Sequence, residues 1–206
     1  MALEIGYTKM NQTIAYYNKN AQAFCDQTFH ADMSICRNRF LSLLPKDKDT
    51  NITILDAGCG SGRDSLCFME QGFFVEAFDA SEAICRIAEQ NLGQKVACMS
   101  FEDISYVERF DGIWACASLL HVSRRELPSV MHRLYQALKS QGILYASFKY
   151  GDGEVVRGER QFSDFQEKSG KELFEAAGFT VLECFVTTDV RPDHGSEKWM
   201  NVIGKK

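Results

Sequence analysis

The chain has 206 residues, 45% of them hydrophobic and 25% charged, with a formal net charge of −5. That length suits one domain of roughly 150–200 residues plus short appendages and leaves too little chain for a second independent core. The acidic balance argues against broad attachment to nucleic acid, which depends on Lys and Arg at phosphates, and the longest apolar stretch, Ile113–Leu120, is far shorter than the roughly 20 residues that cross a bilayer.

Residues 1–10 carry Glu4 and Lys9 and no continuous apolar run, so no secretory signal is readable and a cytoplasmic location is expected. The eight cysteines stand at 25, 36, 59, 67, 85, 98, 116 and 184. No two are three apart, so the CxxC pairs of zinc sites are missing and no metal is expected. In a reducing compartment such thiols act as small hydrophobes. Arg124, Arg125, Arg157 and Arg160 are either a local basic patch or solvated surface.

In chain order, Ile14–Leu44 has a helical pattern rich in aromatics (Tyr16, Tyr17, Phe24, Phe29, Phe40) and reads as a cap over one end of the strands. The expected organisation is one domain over 1–206, with residues 1–45 as the helical cap and 50–206 as the sheet core. Ile52–Leu55, Phe73–Phe78, Val96–Met99, Gly112–Ala117 and Ile143–Phe148 are continuous in apolar character rather than strictly alternating, as strands buried on both faces are. Between them lie amphipathic helices. One carries Leu66 and Met69 and stops at Gly72; the next is capped by Ser81 and stopped by Gly93. A third carries Leu127, Val130, Met131, Leu134 and Leu138 behind the box Ser123–Glu126, beginning at Ser123 or at Pro128. A fourth, with Leu173, Phe174 and Ala177, ends at Gly178. This alternation predicts an α/β fold, a mostly parallel sheet between two helical layers. Thr180–Thr187 and Lys198–Ile203 are joined by a loop too short for a crossover helix and should pair antiparallel at one edge.

The most informative segment is Ile54–Asp64, where Gly58, Gly60 and Gly62 alternate at the end of the first strand. In an open α/β sheet, ligands bind beside such loops, at the carboxyl ends of the strands. Glycines there let the backbone touch a ligand directly. Nineteen residues after Gly60 comes Asp79, a carboxylate placed to accept hydrogen bonds from both hydroxyls of a ribose. The dinucleotide fingerprint GxGxxG needs glycine at its sixth position, where this chain has Arg63. The charge of Asp56 would repel a pyrophosphate and suit an ammonium, so an adenosyl ligand with an amino-acid tail is favoured over a nicotinamide dinucleotide.

With these residues the chain resembles the class I S-adenosylmethionine-dependent methyltransferases. LDAGCGSG (Leu55–Gly62) matches their first motif and FDAS (Phe78–Ser81) their second. Phe101–Ile104, Phe110–Trp114, Leu119–Val122 and Gly142–Leu144 continue the match in order, over about residues 50 to 150. Tyr16–Ala21 and LDAGCGSGRDS look most like small bacterial enzymes, including tellurite-resistance methyltransferases. The resemblance implies a Rossmann-like three-layer sandwich with seven strands in the order 3-2-1-4-5-7-6 and an antiparallel last strand. It implies S-adenosyl-L-methionine as cofactor and S-adenosyl-L-homocysteine as product. Gly58, Gly60 and Gly62 would pass under the methionyl part, Asp56 would hold the ammonium, and Asp79 the ribose. Phe101 and Glu102 would border the adenine, with Asp103 near its exocyclic amine. Cys59, Arg63, Ala80, Ser81 and Tyr17 are carried over as further cofactor contacts.

Methyl transfer from a sulfonium needs mainly correct positioning, and a base only where the acceptor must lose a proton. His121, after the fourth strand, is the candidate base; it can equally pack against the cofactor or cap the next helix. His30, His132 and His194 read as surface or helix-face residues. Lys149–Phe162 reads as a flexible loop or lid over the acceptor, with Tyr150, Arg157 and Arg160 as substrate contacts and the arginines suited to a carboxylate or phosphate. Trp199 and Asn201 approach the same side or simply pack. The expected partner is a small molecule, with nucleic acid disfavoured, no membrane, and oligomeric state open. Methylation of RNA or protein, and cofactor binding without catalysis, stand as alternatives.

Overall fold

The computed structural model describes residues 2–45, 51–191 and 194–206, with side chains from residue 12 onward. Met1, the linker 46–50, and Pro192 and Asp193 of the last loop lie outside the described residues. Nine strands and six helices follow in chain order among them: α1 Ala2–Thr28, α2 Ser34–Leu43, β1 Thr53–Ala57, α3 Arg63–Glu70, β2 Phe74–Asp79, α4 Glu82–Leu92, β3 Ala97–Cys98, β4 Phe110–Ala115, α5 Leu127–Ala137, β5 Leu138–Lys149, β6 Gly153–Arg157, β7 Arg160–Asp164, α6 Glu167–Ala176, β8 Thr180–Thr188 and β9 Lys198–Lys205.

Seven strands form one sheet in the order β3-β2-β1-β4-β5-β9-β8. Counting only these strands in chain order, this is 3-2-1-4-5-7-6. The first five are parallel, and β9 runs antiparallel to both β5 and β8. Successive residues of each strand point to opposite faces, and both faces are covered. Leu55, Ile113, Leu144 and Val202 pack with Val130, Met131 and Leu134 of α5 and Phe174 of α6. Ile54, Trp114, Tyr145 and Ile203 pack with Phe68 of α3 and with Cys36, Phe40 and Leu44 of the second helical segment. That double burial is why the strands read as continuous apolar runs.

The first 45 residues divide. Helix α1 crosses the strand ends and packs Ala21 and Cys25 against Ile84 of α4. Helix α2 instead belongs to a sheet layer: a Cβ on Gly112 of β4 would lie 2.6 Å from the Phe40 ring and 2.7 Å from Leu44. Strand β4 also starts and ends two residues earlier than the apolar run predicts, because Ala117 takes φ 54° and turns the chain, its N–H donating to Ser147 Oγ at 2.8 Å. Leu138, expected in the third helix, is extended and opens β5 opposite Phe110. That helix begins at Leu127, with Pro128 in its first turn and Ser123 Oγ donating to Glu126 just before it.

The segment expected as a flexible loop is an ordered β-hairpin. Strands β6 and β7 pair from Gly153 opposite Asp164 to Arg157 opposite Arg160. The two-residue turn is Gly158–Glu159, with glycine first at φ 62°, the conformation such tight turns require. Its β7 strand is buried and its β6 strand largely exposed.

Candidate functional site

A cavity of about 710 Å³ opens at the carboxyl ends of the parallel strands, under α1 and beside the hairpin. Its floor is the turn from β1 into α3. Gly58, Gly60 and Gly62 all take positive φ there (78°, 56° and 80°). The amides of Gly58 and Cys59 both donate to the Phe78 carbonyl at 2.9 Å, and Gly60 N–H donates to Asp79 Oδ2 at 3.1 Å. A Cβ at Gly58 would lie 2.4 Å from Ser118 Cβ, whereas one at Gly60 would meet only Phe24, at 3.6 Å. Gly58 therefore lets the turns after β1 and β4 close together, and Gly60 leaves bare backbone facing the cavity.

Asp79 ends β2 with Oδ1 accepting from Ser81 N–H at 2.9 Å. Ser81 caps α4 and donates its hydroxyl to Asn18 of α1 at 2.8 Å. Burial raises the Asp79 carboxyl, while the amides of Ser81 and Gly60 pull it back. Asp56 is buried, and its Oδ2 accepts from Ser65 Oγ at 2.6 Å. Burial first, and then the neighbouring charge of Asp64, push its carboxyl up to about 7. Beneath it, Arg63 and Arg37 each lie 2.6 Å from the buried Asp64, which also accepts from Trp114 Nε1 at 3.0 Å. Burial would raise Asp64, but the two guanidiniums hold it below the usual carboxylate range.

At the other end, His121 Nδ1 lies 2.7 Å from the Gln161 carbonyl, and Nε2 lies 2.8 Å from the Tyr17 hydroxyl. Burial pulls its imidazole down to about 4, so the ring is neutral at pH 7. Both ring nitrogens are thus engaged by protein groups, and the ring itself lines the cavity.

Tyr17, Asp56, Gly58, Cys59, Gly60, Arg63, Asp79, Ala80, Ser81, Phe101, His121, Arg157 and Arg160 all line this one cavity. Four expected contacts are placed elsewhere. Gly62 faces Leu92 of α4, where a Cβ would come within 3.0 Å, so it serves helix packing. Asp103 turns back to accept from Ser100 N–H at 2.8 Å, and Glu102 beside it lies outside the lining. Tyr150 points outward and donates to Glu167 at 2.9 Å. Of the arginines, Arg157 is bound by both oxygens of Asp164 and Arg124 by the Asp164 carbonyl, while Arg125 is exposed.

His194, expected on the surface or a helix face, is part-exposed and also lines the cavity. It lies 2.8 Å from Glu197 beside Asp189, Lys149 and Trp199. Asp189, His194 and Glu197 bring potential metal-ligand atoms within 4.8 Å of one another. The Lys149 ammonium already bridges the two carboxylates, and Arg191 adds a second cation at 2.7 Å from Asp189, so their charge is neutralised by protein. The Asp64 network has no local sequence signature, because Arg37 and Trp114 lie 27 and 50 residues from Asp64, whereas Asp189, Arg191, His194 and Glu197 are close in the chain and only Lys149, 40 residues from Asp189, is distant. Asn201, buried on β9, accepts from Tyr145 Oη at 2.7 Å and donates to Thr187 at 3.0 Å; both it and Trp199 line the cavity.

A family model described as a methyltransferase domain matches residues 54–142. YqeM of Bacillus subtilis (strain 168), a protein carrying a methyltransferase name, is 28% identical over 110 residues, which are 48% of this chain and 44% of that protein. The malonyl-[acyl-carrier protein] O-methyltransferase of Acetivibrio thermocellus is 24% identical over 132 residues, 61% of this chain and 44% of the enzyme. This chain thus matches less than half the length of either relative. Among solved structures, the 1,6-didemethyltoxoflavin-N1-methyltransferase of Burkholderia thailandensis superposes with a TM-score of 0.77 at 22% identity, over 97% of this chain and 88% of that one. No described helix is long and apolar enough to cross a membrane. Residues 54–142 thus match a methyltransferase domain, and the sheet has the strand order that the resemblance to class I S-adenosylmethionine-dependent methyltransferases implies.

Proposed function

We propose that this chain binds S-adenosylmethionine along the glycine turn and transfers its methyl group to a small-molecule acceptor held beneath α1 and the hairpin. One observation carries the reading: a single cavity runs from Asp56, Gly60 and Asp79 to His121, Arg157 and Arg160, so cofactor and acceptor would share one enclosure. The donor set fits the cofactor. Each Asp79 oxygen accepts one backbone N–H and has a lone pair left for a ribose hydroxyl. Asp56 Oδ1 has no protein partner among the described residues and suits the ammonium. Bare backbone at Gly58, Cys59 and Gly60 would pass under the methionyl chain, Ala80 and Ser81 would flank the ribose, and Phe101 would border the adenine. Arg63 holds this floor through Asp64.

When bound, S-adenosylmethionine supplies an electrophilic methyl group on a sulfonium. The chain's own contribution is to align an acceptor with it and to exclude water, the largest share of the rate such a transfer needs. The cavity size matches a cofactor with a compact partner. The Burkholderia structure has 1,6-didemethyltoxoflavin and S-adenosylhomocysteine bound, which supports an acceptor of that size. Residues 2–206 act as one domain in this reading, with α1 closing the site that the sheet builds.

Calorimetry provides the test. S-adenosylhomocysteine should bind the wild-type chain, and Asp79→Ala should weaken it by about 1.5–3 kcal/mol, or roughly 10- to 100-fold. Binding of a nicotinamide dinucleotide with none of S-adenosylhomocysteine, or an unchanged affinity in Asp79→Ala, would sink the proposal.

A further inference from the structure

The hydrogen-bond polarity at the acceptor end is set by a chain of three groups. A carbonyl oxygen can only accept, so the Gln161 carbonyl 2.7 Å away fixes the proton of the neutral His121 ring on Nδ1. Nε2 is then a bare lone pair. The Tyr17 hydroxyl, 2.8 Å from it, donates its single proton there. The Tyr17 oxygen consequently presents only lone pairs to its other neighbours, one of which is Arg160 Nη1 at 3.4 Å.

Arg160 stands apart from the other cations of the cavity. Arg63 is paired with Asp64, Arg157 with Asp164, Arg191 with Asp189, and Lys149 with Asp189 and Glu197. Among the described residues, Arg160 has no carboxylate partner. Its guanidinium rests over the Tyr16 ring at 4.6 Å and near the Phe162 ring at 5.3 Å, and its Nε is buried without a hydrogen-bond partner. An acceptor-only oxygen thus sits beside a guanidinium whose charge is not neutralised, between aromatic walls formed by Tyr17 and Phe162.

We infer that the acceptor is a planar organic acid in which an O–H or N–H lies next to an anionic oxygen, the donor meeting Tyr17 and the oxygen pairing with Arg160. A guanidinium recognises a carboxylate through paired N–H donors, and its aromatic support keeps it in place at little entropic cost. A site built from an acceptor-only oxygen discriminates against analogues that lack the hydrogen, since its buried polar group would be left unpaired. This assignment of acceptor class rests on the methyltransferase reading above.

The test titrates the full chain, saturated with S-adenosylhomocysteine, with salicylate, benzoate and salicylamide. Salicylate should bind at least 10-fold more tightly than neutral salicylamide, and more tightly than benzoate, which lacks the hydroxyl. Arg160→Gln should abolish the preference for salicylate over salicylamide, and Tyr17→Phe the preference for salicylate over benzoate. Near-ultraviolet circular dichroism of each variant, measured first, reports that it is folded. Equal binding of salicylate and salicylamide to the wild-type chain, no binding of either, or an unchanged salicylate affinity in Arg160→Gln would overturn the inference while leaving the cofactor reading intact. Failure of the wild-type chain to bind S-adenosylhomocysteine would overturn both.

Discussion

Asp56 and His121 are shifted in opposite senses by the same cause, removal from water, and they titrate over the same range. Asp56 is protonated in the folded chain up to about pH 7 but ionises near 3.8 when unfolded, so it makes stability fall as pH rises from about 4 to 7. His121 stays neutral in the folded chain down to about pH 4 but protonates near 6.5 when unfolded, so it makes stability fall as pH drops from 6.5 to 4. The two slopes, each about 1.4 kcal/mol per pH unit, offset one another between pH 4 and 6.5. Asp56→Asn removes the first, so its stability should rise more steeply with pH than that of the wild type. His121→Gln removes the second and should tilt the curve the other way. Urea unfolding at half-unit pH steps measures both, and parallel curves for wild type and variants would show that neither group titrates as described. Binding of the cofactor's ammonium should also draw the proton off Asp56. At pH 6, S-adenosylhomocysteine binding should therefore release up to one proton, seen as a dependence of the heat on buffer ionisation, and the release should vanish by pH 8.5.

Asp56, Asp79 and the glycines are legible from local sequence because their positions depend only on one strand, one turn and one helix start. The partners of His121 are not. Tyr17 is 104 residues away and Gln161 is 40 away, and nothing in either neighbourhood marks them as neighbours.

At the scale of elements, α2 is the clearest case of packing that periodicity leaves undecided. Its one aromatic residue, Phe40, fits a cap as well as a core. What settles its place is the missing side chain of Gly112, which admits the fully buried Phe40 beside Phe68 (5.9 Å) and Trp114 (5.3 Å). Phe40→Ala should therefore cost about 3–5 kcal/mol, in the range of truncated core aromatics. A loss below about 1 kcal/mol in denaturant unfolding would mean that α2 does not pack as described. The β6–β7 hairpin escapes notice for a different reason. Its alternation is carried by Arg, Gln, Ser and Glu as much as by Val and Phe, and one of its strands is exposed, so its hydrophobic signal is weak. Only docking against α1, where Thr13 Oγ1 accepts from Gln161 N–H at 3.1 Å, and against the turn after β4, where Ser163 donates to the Val122 carbonyl at 2.8 Å, turns it into a wall of the site.

For the whole molecule, the cavity is built from the sheet, α1 and the hairpin together, so filling it should stabilise all of them at once. At 100 times its dissociation constant, S-adenosylhomocysteine should add about 2.7 kcal/mol of stability. For a chain of this length that corresponds to a rise in Tm of about 5–10 °C. A thermal scan showing no rise for the wild-type chain, or the same rise in Asp79→Ala, would contradict the placement of the ligand.

The alternating strands and helices and the glycine turn follow from the sequence alone, because hydrophobic period, capping residues and turn glycines are local signals repeated along one stretch of chain; the strand order is what the family resemblance implies. Tertiary structure alone decides the end of the cavity beside the hairpin. The polarity of Tyr17, the neutral state of His121 and the unneutralised charge of Arg160 all arise from groups on α1, the turn after β4 and the hairpin. These meet only when the sheet brings them together and excludes water.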